Sequence, residues 1–286
     1  MKAELMKIHL YAMVWNEIPM LDFFFRHYEP WVDHFHIFDD GSDDGTYEYL
    51  LKKTNVTVQR PNRYGLDSYV EFQLLLQNEL WKSSRDDADW IVLADIDAHA
   101  LHPKARMRDY LAKQSQLGIT AIPTLGHQMV ADEFPDPSSE LSRVITRGAP
   151  HAAESKLMIF DPKRITDTNF GPGGHIAHPT GDVKYPSRSQ LLNLHYKLLG
   201  PNWVAERYTA LKSRRVEIDE KNDWAGHYEK AREEIDTYFA ATSRQAVDFR
   251  KPWVPLLHLG NRWWDQSLFE RFLRSLRRFR AQLLSS

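Results

Sequence analysis

The sequence predicts an α/β protein, a mostly parallel central sheet flanked by helices, with a helical appendage at the C-terminal end. Two observations carry this. Over the first hundred residues, hydrophobic runs of strand period and of helix period take turns, at spacings that suit right-handed crossovers. The composition is that of an ordinary globular chain: 286 residues, 42% hydrophobic and 27% charged, with Lys+Arg 37 against Asp+Glu 39. That charge balance disfavours a role in coating nucleic acid, and the length suits one large domain or two small ones. The chain has no cysteine, so disulfides, zinc knuckles, iron–sulfur clusters and thiol nucleophiles are excluded together, and any metal must sit on oxygen or imidazole.

The elements follow in order. Ile8 to Trp15 reads as a buried strand, and Ile18 to Tyr28 as a helix with Leu21, Phe24, Phe25 and Tyr28 at helical spacing. His34 to Phe38 is a second short strand, ending in the acidic turn Asp39-Asp40-Gly41-Ser42-Asp43-Asp44-Gly45-Thr46, after which a helix starts near Thr46. Val56 to Gln59 is a third strand, Tyr69 to Trp81 a helix, and Trp90 to Ala94 a fourth strand running into Asp95-Ile96-Asp97. Beyond about residue 115 the pattern loosens into short strands, Thr120 to Pro123 and Lys156 to Phe160, separated by polar loops. Helical periodicity returns at Trp203 to Leu211, at Trp224 to Phe239 and at the C-terminus. The division expected from this is a nucleotide-binding α/β half over 1–115, an acceptor-side half of the same domain over 116–212, and a C-terminal helical region over 213–286.

In an open parallel sheet, ligands bind outside the carboxyl ends of the strands. Three of the four strands end in polar residues: Asn16-Glu17, the run from Asp39 to Thr46, and Asp95-Ile96-Asp97. The acidic turn has a bland explanation in helix capping. A calcium loop through Asp40, Ser42, Asp44 and Gly45 is disfavoured, because Leu51 stands where a bidentate Glu is needed and a strand precedes it. Asp95 and Asp97, two apart on an extended chain, would share a face and converge on a divalent ion that bridges to phosphate oxygens.

The segments Val14-Trp15-Asn16-Glu17, Phe35 to Thr46 and Ala88 to Asp97, with Leu194-His195-Tyr196-Lys197 ahead of an amphipathic helix, resemble glycosyltransferase family 2 and its relatives of the GT-A fold. The resemblance covers about residues 7 to 100 well and 155 to 210 loosely. It implies transfer of a sugar from a nucleotide-diphosphate donor to an acceptor hydroxyl, with inversion, in bacterial surface-glycan assembly, the acceptor being a glycan or a lipid-linked glycan. It further implies that Asn16, Glu17, Asp39, Asp40 and Asp95 contact the donor, with Asp40 near the base, and that Asp95, Asp97 and His195 hold Mn²⁺ or Mg²⁺. Relatives often carry Glu directly after the second Asp, where this chain has Ala98 and His99, which leaves the role of His99 open. The acceptor hydroxyl needs a general base, and Asp132, Glu133, Glu154, His175 and Asp182 lie in the loop-rich half. Glu133 and His175 are the two candidates chosen.

The competing reading is a divalent-metal-dependent hydrolase of the phosphoesterase type on the same Asp and His residues, invited by the pairs His34/His36, His99/His102 and His175/His178. No His-Glu-x-x-His occurs. The segment Asp265 to Ser286 carries five arginines against Asp265 and Glu270 over an aromatic-rich apolar face, the pattern either of a helix on an anionic membrane or of one docked on the body. Glu4 before the apolar stretch from Ile8 to Trp15, and Asn16-Glu17 after it, do not read as a signal peptide, and no window approaches a membrane span. A cytoplasmic location is therefore expected, with peripheral contact at the inner face of a membrane, and no nucleic-acid partner.

Overall fold

The computed structural model describes residues 6–188 and 190–285, the side chains of 278–285 excepted; Glu4 and the side chains of Arg278, Phe279 and Arg280 lie outside these. In chain order the elements are β1 (Ile8–Val14), α1 (Ile18–Tyr28), β2 (His34–Asp39), α2 (Thr46–Leu50), β3 (Val56–Gln59), α3 (Tyr69–Asn78), β4 (Trp90–Leu93), β5 (Ala98–Leu101), α4 (Met107–Gln116), β6 (Ala121–Pro123) and β7 (Leu125–Ala131). There follow α5 (Leu141–Val144), β8 (Arg147–Pro150), β9 (Leu157–Phe160), β10 (Leu192–Leu199), α6 (Pro201–Lys212), α7 (Glu217–Lys221), α8 (Arg232–Gln245), β11 (Val247–Asp248) and α9 (Leu268–Ser285).

The strands form two sheets. The first has the order β3-β2-β1-β4-β9-β6, with β3, β2, β1 and β4 parallel, β9 antiparallel to β4, and β6 antiparallel to β9 and so running in the direction of β4. The chain runs outward from β1 to β3 and returns to place β4 on the other side of β1. The crevice between the carboxyl ends of β1 and β4 is thus a topological switch point, the place where open α/β sheets bind ligands. The strands read as near-continuous apolar runs because both faces are covered: all four residues of β4 are buried, and α1 buries Phe23, Phe24, Phe25 and Tyr28 against one face. Trp81 and Phe160 meet edge to face on the other side.

The short strands expected at Thr120 to Pro123 and Lys156 to Phe160 join the first sheet as β6 and β9, and a second sheet, of order β11-β8-β7-β10-β5, is built from other segments. The two sheets join at the Asp95-Ile96-Asp97 segment. An extended chain was expected there, but β4 ends at Leu93 and a tight turn, closed by Ala98 N–H to the Asp95 carbonyl at 3.0 Å, sends the chain into β5. The Asp97 carbonyl accepts from Tyr196 N–H of β10 at 2.7 Å, which pins the turn to the second sheet. The helix expected over Trp224 to Phe239 is broken into a 3-10 turn at Gly226–Glu229 and α8, and α3 likewise stops at Asn78, short of Trp81.

Candidate functional site

The acidic turn after β2 braces the chain that leaves β1. Ser42 Oγ accepts from Asn16 N–H at 2.9 Å, Thr46 Oγ1 from Glu17 N–H at 2.9 Å, and an Asp44 carboxylate oxygen from Ile18 N–H at 3.1 Å. Side chains of one loop thereby satisfy the open N–H groups at the start of α1. Asn16 takes a left-handed backbone (φ 52°), and its side-chain amide donates to the Asp43 carboxylate and accepts from the Asp43 backbone N–H. Of the oxygens that a calcium loop would need, those of Ser42 and Asp44 are engaged in this bracing and those of Asp40 by arginines.

Beside this turn opens a cleft of about 510 Å³, lined by the ends of β1 and β4, by β10, and by the loop before β9. Glu17, Asp95, Asp97, His175 and His195 of the expected set line it, together with Glu154. Asn16, Asp39, Asp40, Asp132, Glu133 and Asp182 are not among the lining residues. Asp39 lies buried under Arg60, and Asp40 is ion-paired to Arg63 at 2.7 Å and to Arg214. Asp132 and Glu133 are exposed past the end of β7, and Asp182 is bonded to Arg164. His99 is buried and stacked on His27, with ring centroids 4.4 Å apart, and neither His34 nor His36 reaches the cleft.

Four cations missing from the sequence reading complete the wall. Lys156 bridges Asp95 at 2.9 Å and Glu154 at 3.2 Å; its burial works against the ammonium, but the two carboxylates hold its pKa above the ordinary lysine value. Lys197 donates to His227 Nε2 at 2.8 Å, and burial brings its pKa down to about 8. Arg207 of α6 binds the Asn16 carbonyl at 2.9 Å and the Glu17 carboxylate. Arg214 lies over Trp15 at 4.3 Å and Tyr69 at 5.0 Å, where burial lowers its pKa to about 10. Trp15, Tyr69, Trp203, Trp224 and Tyr228 make the rest of the wall largely aromatic. Residues 223–228 contribute to it, although they belong to the region read as a C-terminal appendage. Lys197 follows His195 by two on one strand face, a period-two signal present in the sequence; Lys156, Arg207 and Arg214 carry no such signal.

The two histidines in the cleft are oriented by their Nδ1 atoms. His175 Nδ1–H donates to the Ala153 carbonyl at 2.8 Å, which leaves Nε2 with its lone pair; burial and then Lys156 hold its pKa below the ordinary value. His195 Nδ1 meets Gln128 Oε1 at 2.9 Å, and its Nε2 faces Asp97 at 3.4 Å. Burial opposes the charged forms of both members of this pair, yet their mutual attraction dominates, lowering the pKa of Asp97 and raising that of His195.

A divalent ion, which the family resemblance implies, fits part of this donor set. With Nδ1–H held by Gln128, a His195 ring that gave up its Nε2 proton to a bound ion would present that lone pair beside the Asp97 carboxylate, one imidazole and one hard oxygen ligand. The oxygens of Asp95 are engaged by Lys156 and Gln73. Among the described residues no three carboxylate or imidazole groups are placed to hold a metal, so the remaining positions would fall to phosphate oxygens and water, the usual pattern for Mg²⁺.

No protein-family model matches the chain, and no curated protein matches it. Among solved structures the chain is similar to one titled crystal structure of 4-diphosphocytidyl-2C-methyl-D-erythritol synthase, at 15% identity over 56% of this chain and 77% of that one, with a TM-score of 0.27. So slight a likeness carries no argument about what this chain does. No helix among the described residues is long and apolar enough to cross a membrane.

Proposed function

We propose that this protein is a glycosyltransferase of GT-A type that moves a sugar from a nucleotide-diphosphate donor to an acceptor hydroxyl. The observation that carries the reading is the cleft at the β1/β4 switch point, where Asp97 and His195 Nε2 face each other among Lys156, Lys197 and Arg207, with aromatic walls beyond. Cations gathered around acidic metal-type ligands suit a diphosphate, and the tryptophan and tyrosine faces suit a nucleobase or a sugar ring.

In this reading Asp97 and His195 hold a divalent ion, which when bound supplies Lewis-acid charge to the leaving diphosphate. Lys156, Lys197 and Arg207 stabilise the negative charge that develops there as the sugar–phosphate bond breaks. His175 Nε2 accepts the proton of the acceptor hydroxyl while the new glycosidic bond forms on the opposite face of the sugar, giving inversion. Of the two base candidates it is His175 that lines the cleft, with the Nε2 lone pair left by its Nδ1 bond; Glu133 does not line it. Asp40 acts at one remove, by holding Arg214 against Trp15.

The test is release of nucleoside diphosphate from a panel of nucleotide-sugars, with and without Mn²⁺ and a panel of glycan acceptors, with the product sugar followed by NMR. Acceptor-stimulated release with an inverted anomeric centre supports the reading. Equal release in the absence of any acceptor, or turnover of simple phosphoesters, makes the protein a hydrolase instead.

A further inference from the structure

The C-terminal helix α9 is both docked and open. Its inner side is fastened to the segment just before it: Glu270 accepts from Gly260 N–H at 2.6 Å, Arg274 donates to the Arg262 carbonyl at 2.5 Å, and Arg277 to Asn261 at 2.6 Å. The approach is close. Gly260 has φ +78°, and a Cβ there would lie 3.1 Å from the Leu273 Cβ, so a side chain at this position would be strained and would crowd the helix.

Four apolar residues of α9 face outward. Leu268 is 82% exposed, Phe269 59%, Phe272 59% and Leu276 48%. At about 100° per residue these four positions fall within an arc of roughly 100°, a single stripe running along the helix. The helix carries five arginines against the single Glu270, in a chain whose formal net charge is -2. Positive charge is thus concentrated on the element that also shows the largest apolar exposure, and Arg271 is exposed between Phe269 and Phe272 in sequence. A water-facing helix gains nothing from two exposed phenylalanines, and a purely electrostatic surface has no use for them. Both features together match an anionic lipid bilayer, whose headgroups attract arginine while the acyl boundary takes up Phe and Leu.

We infer that the outer face of α9 binds anionic membrane surfaces, lying in the interface while the body of the protein stays outside. The proposal does not depend on the sugar-transfer reading, and its test measures lipid binding alone. The full chain is floated with phosphatidylcholine vesicles, with and without a phosphatidylserine fraction, at low and high salt. The variants are F269S/F272S and R271E, all at exposed positions. The expected result is flotation only with phosphatidylserine vesicles, weakened by salt, lost in F269S/F272S, and reduced in R271E by at least about fivefold, the value of one arginine near an anionic surface. Failure of the wild type to float at low salt overturns the proposal, as does equal flotation of F269S/F272S. So does a lipid-free dimer that F269S/F272S converts to monomer, since the stripe is then covered by a second copy of the chain.

Discussion

Acidification removes stability from this protein through two histidines that it buries neutral. His127 on β7 and His258 in the 3-10 turn Val254–His258 are both fully buried, with His258 Nε2 3.3 Å from His127 Nδ1. Burial is the main cause that lowers their pKa values, to about 4 for His127 and about 3 for His258, each from the ordinary histidine value of 6.5. Above pH ~6.5 both rings are neutral in the folded and unfolded chain and contribute nothing to the pH dependence. As the pH falls through that value the unfolded chain takes up protons that the folded chain refuses. Each ring then costs about 1.4 kcal/mol of stability per pH unit until the folded pKa is reached. At pH ~4.5 the two together cost about 5 kcal/mol, which is as large as the whole stability of many domains. Urea denaturation of the wild type and of His258→Gln across this window isolates the effect, because the other histidines are common to both. The variant should lose stability less steeply, by about 1.4 kcal/mol per pH unit. Parallel curves for the two proteins would refute the reasoning.

Three further outcomes are expected. Lys156→Met leaves Asp95 and Glu154 facing each other without their ammonium and should cost about 3 kcal/mol in chemical denaturation; adding Glu154→Gln should recover part of that loss. Gly126→Ala places a methyl 2.3 Å from the Glu154 carbonyl carbon and 2.6 Å from the His151 oxygen. Backbone must shift to admit it, so a loss of about 1–3 kcal/mol and weaker nucleotide binding by calorimetry should appear together. His175→Gln removes the free Nε2 and should lower kcat by about 10²–10⁴-fold in the transfer assay while nucleotide affinity stays unchanged; equal loss of affinity would make it a binding residue.

The first sheet was legible because apolar strand runs such as Ile8–Val14 and Trp90–Leu93 alternate with helices such as Ile18–Tyr28. Ile18–Tyr28 and Val56–Gln59 coincide with their sequence bounds. The second sheet was not legible as a sheet. Its β5 begins one residue after Asp97 with no turn signature, and β8 is the four-residue Arg-Gly-Ala-Pro. In β10, Leu192, Leu194, Tyr196 and Leu198 alternate with Asn193, His195 and Lys197, a period-two strand pattern present in the sequence. In the site, residues at strand ends could be placed from the topology rule, which brought Glu17, Asp95 and Asp97 to the cleft. Asp39 and Asp40 follow the same rule in sequence, yet nearby arginines claim them. Which carboxylate meets which cation depends on segments distant along the chain, as with Arg214 on Asp40, and local pattern does not encode that.

The central claim is a diphosphate site built on Asp97, and calorimetric titration of nucleoside diphosphates with and without Mn²⁺, on wild type and on Asp97→Asn, tests it most directly. The account predicts that one nucleoside diphosphate binds, that Mn²⁺ tightens it, and that Asp97→Asn loses the Mn²⁺-dependent part, about tenfold or more in Kd. Binding by none of them under either condition, or an Asp97→Asn protein that responds to Mn²⁺ as the wild type does, would contradict it.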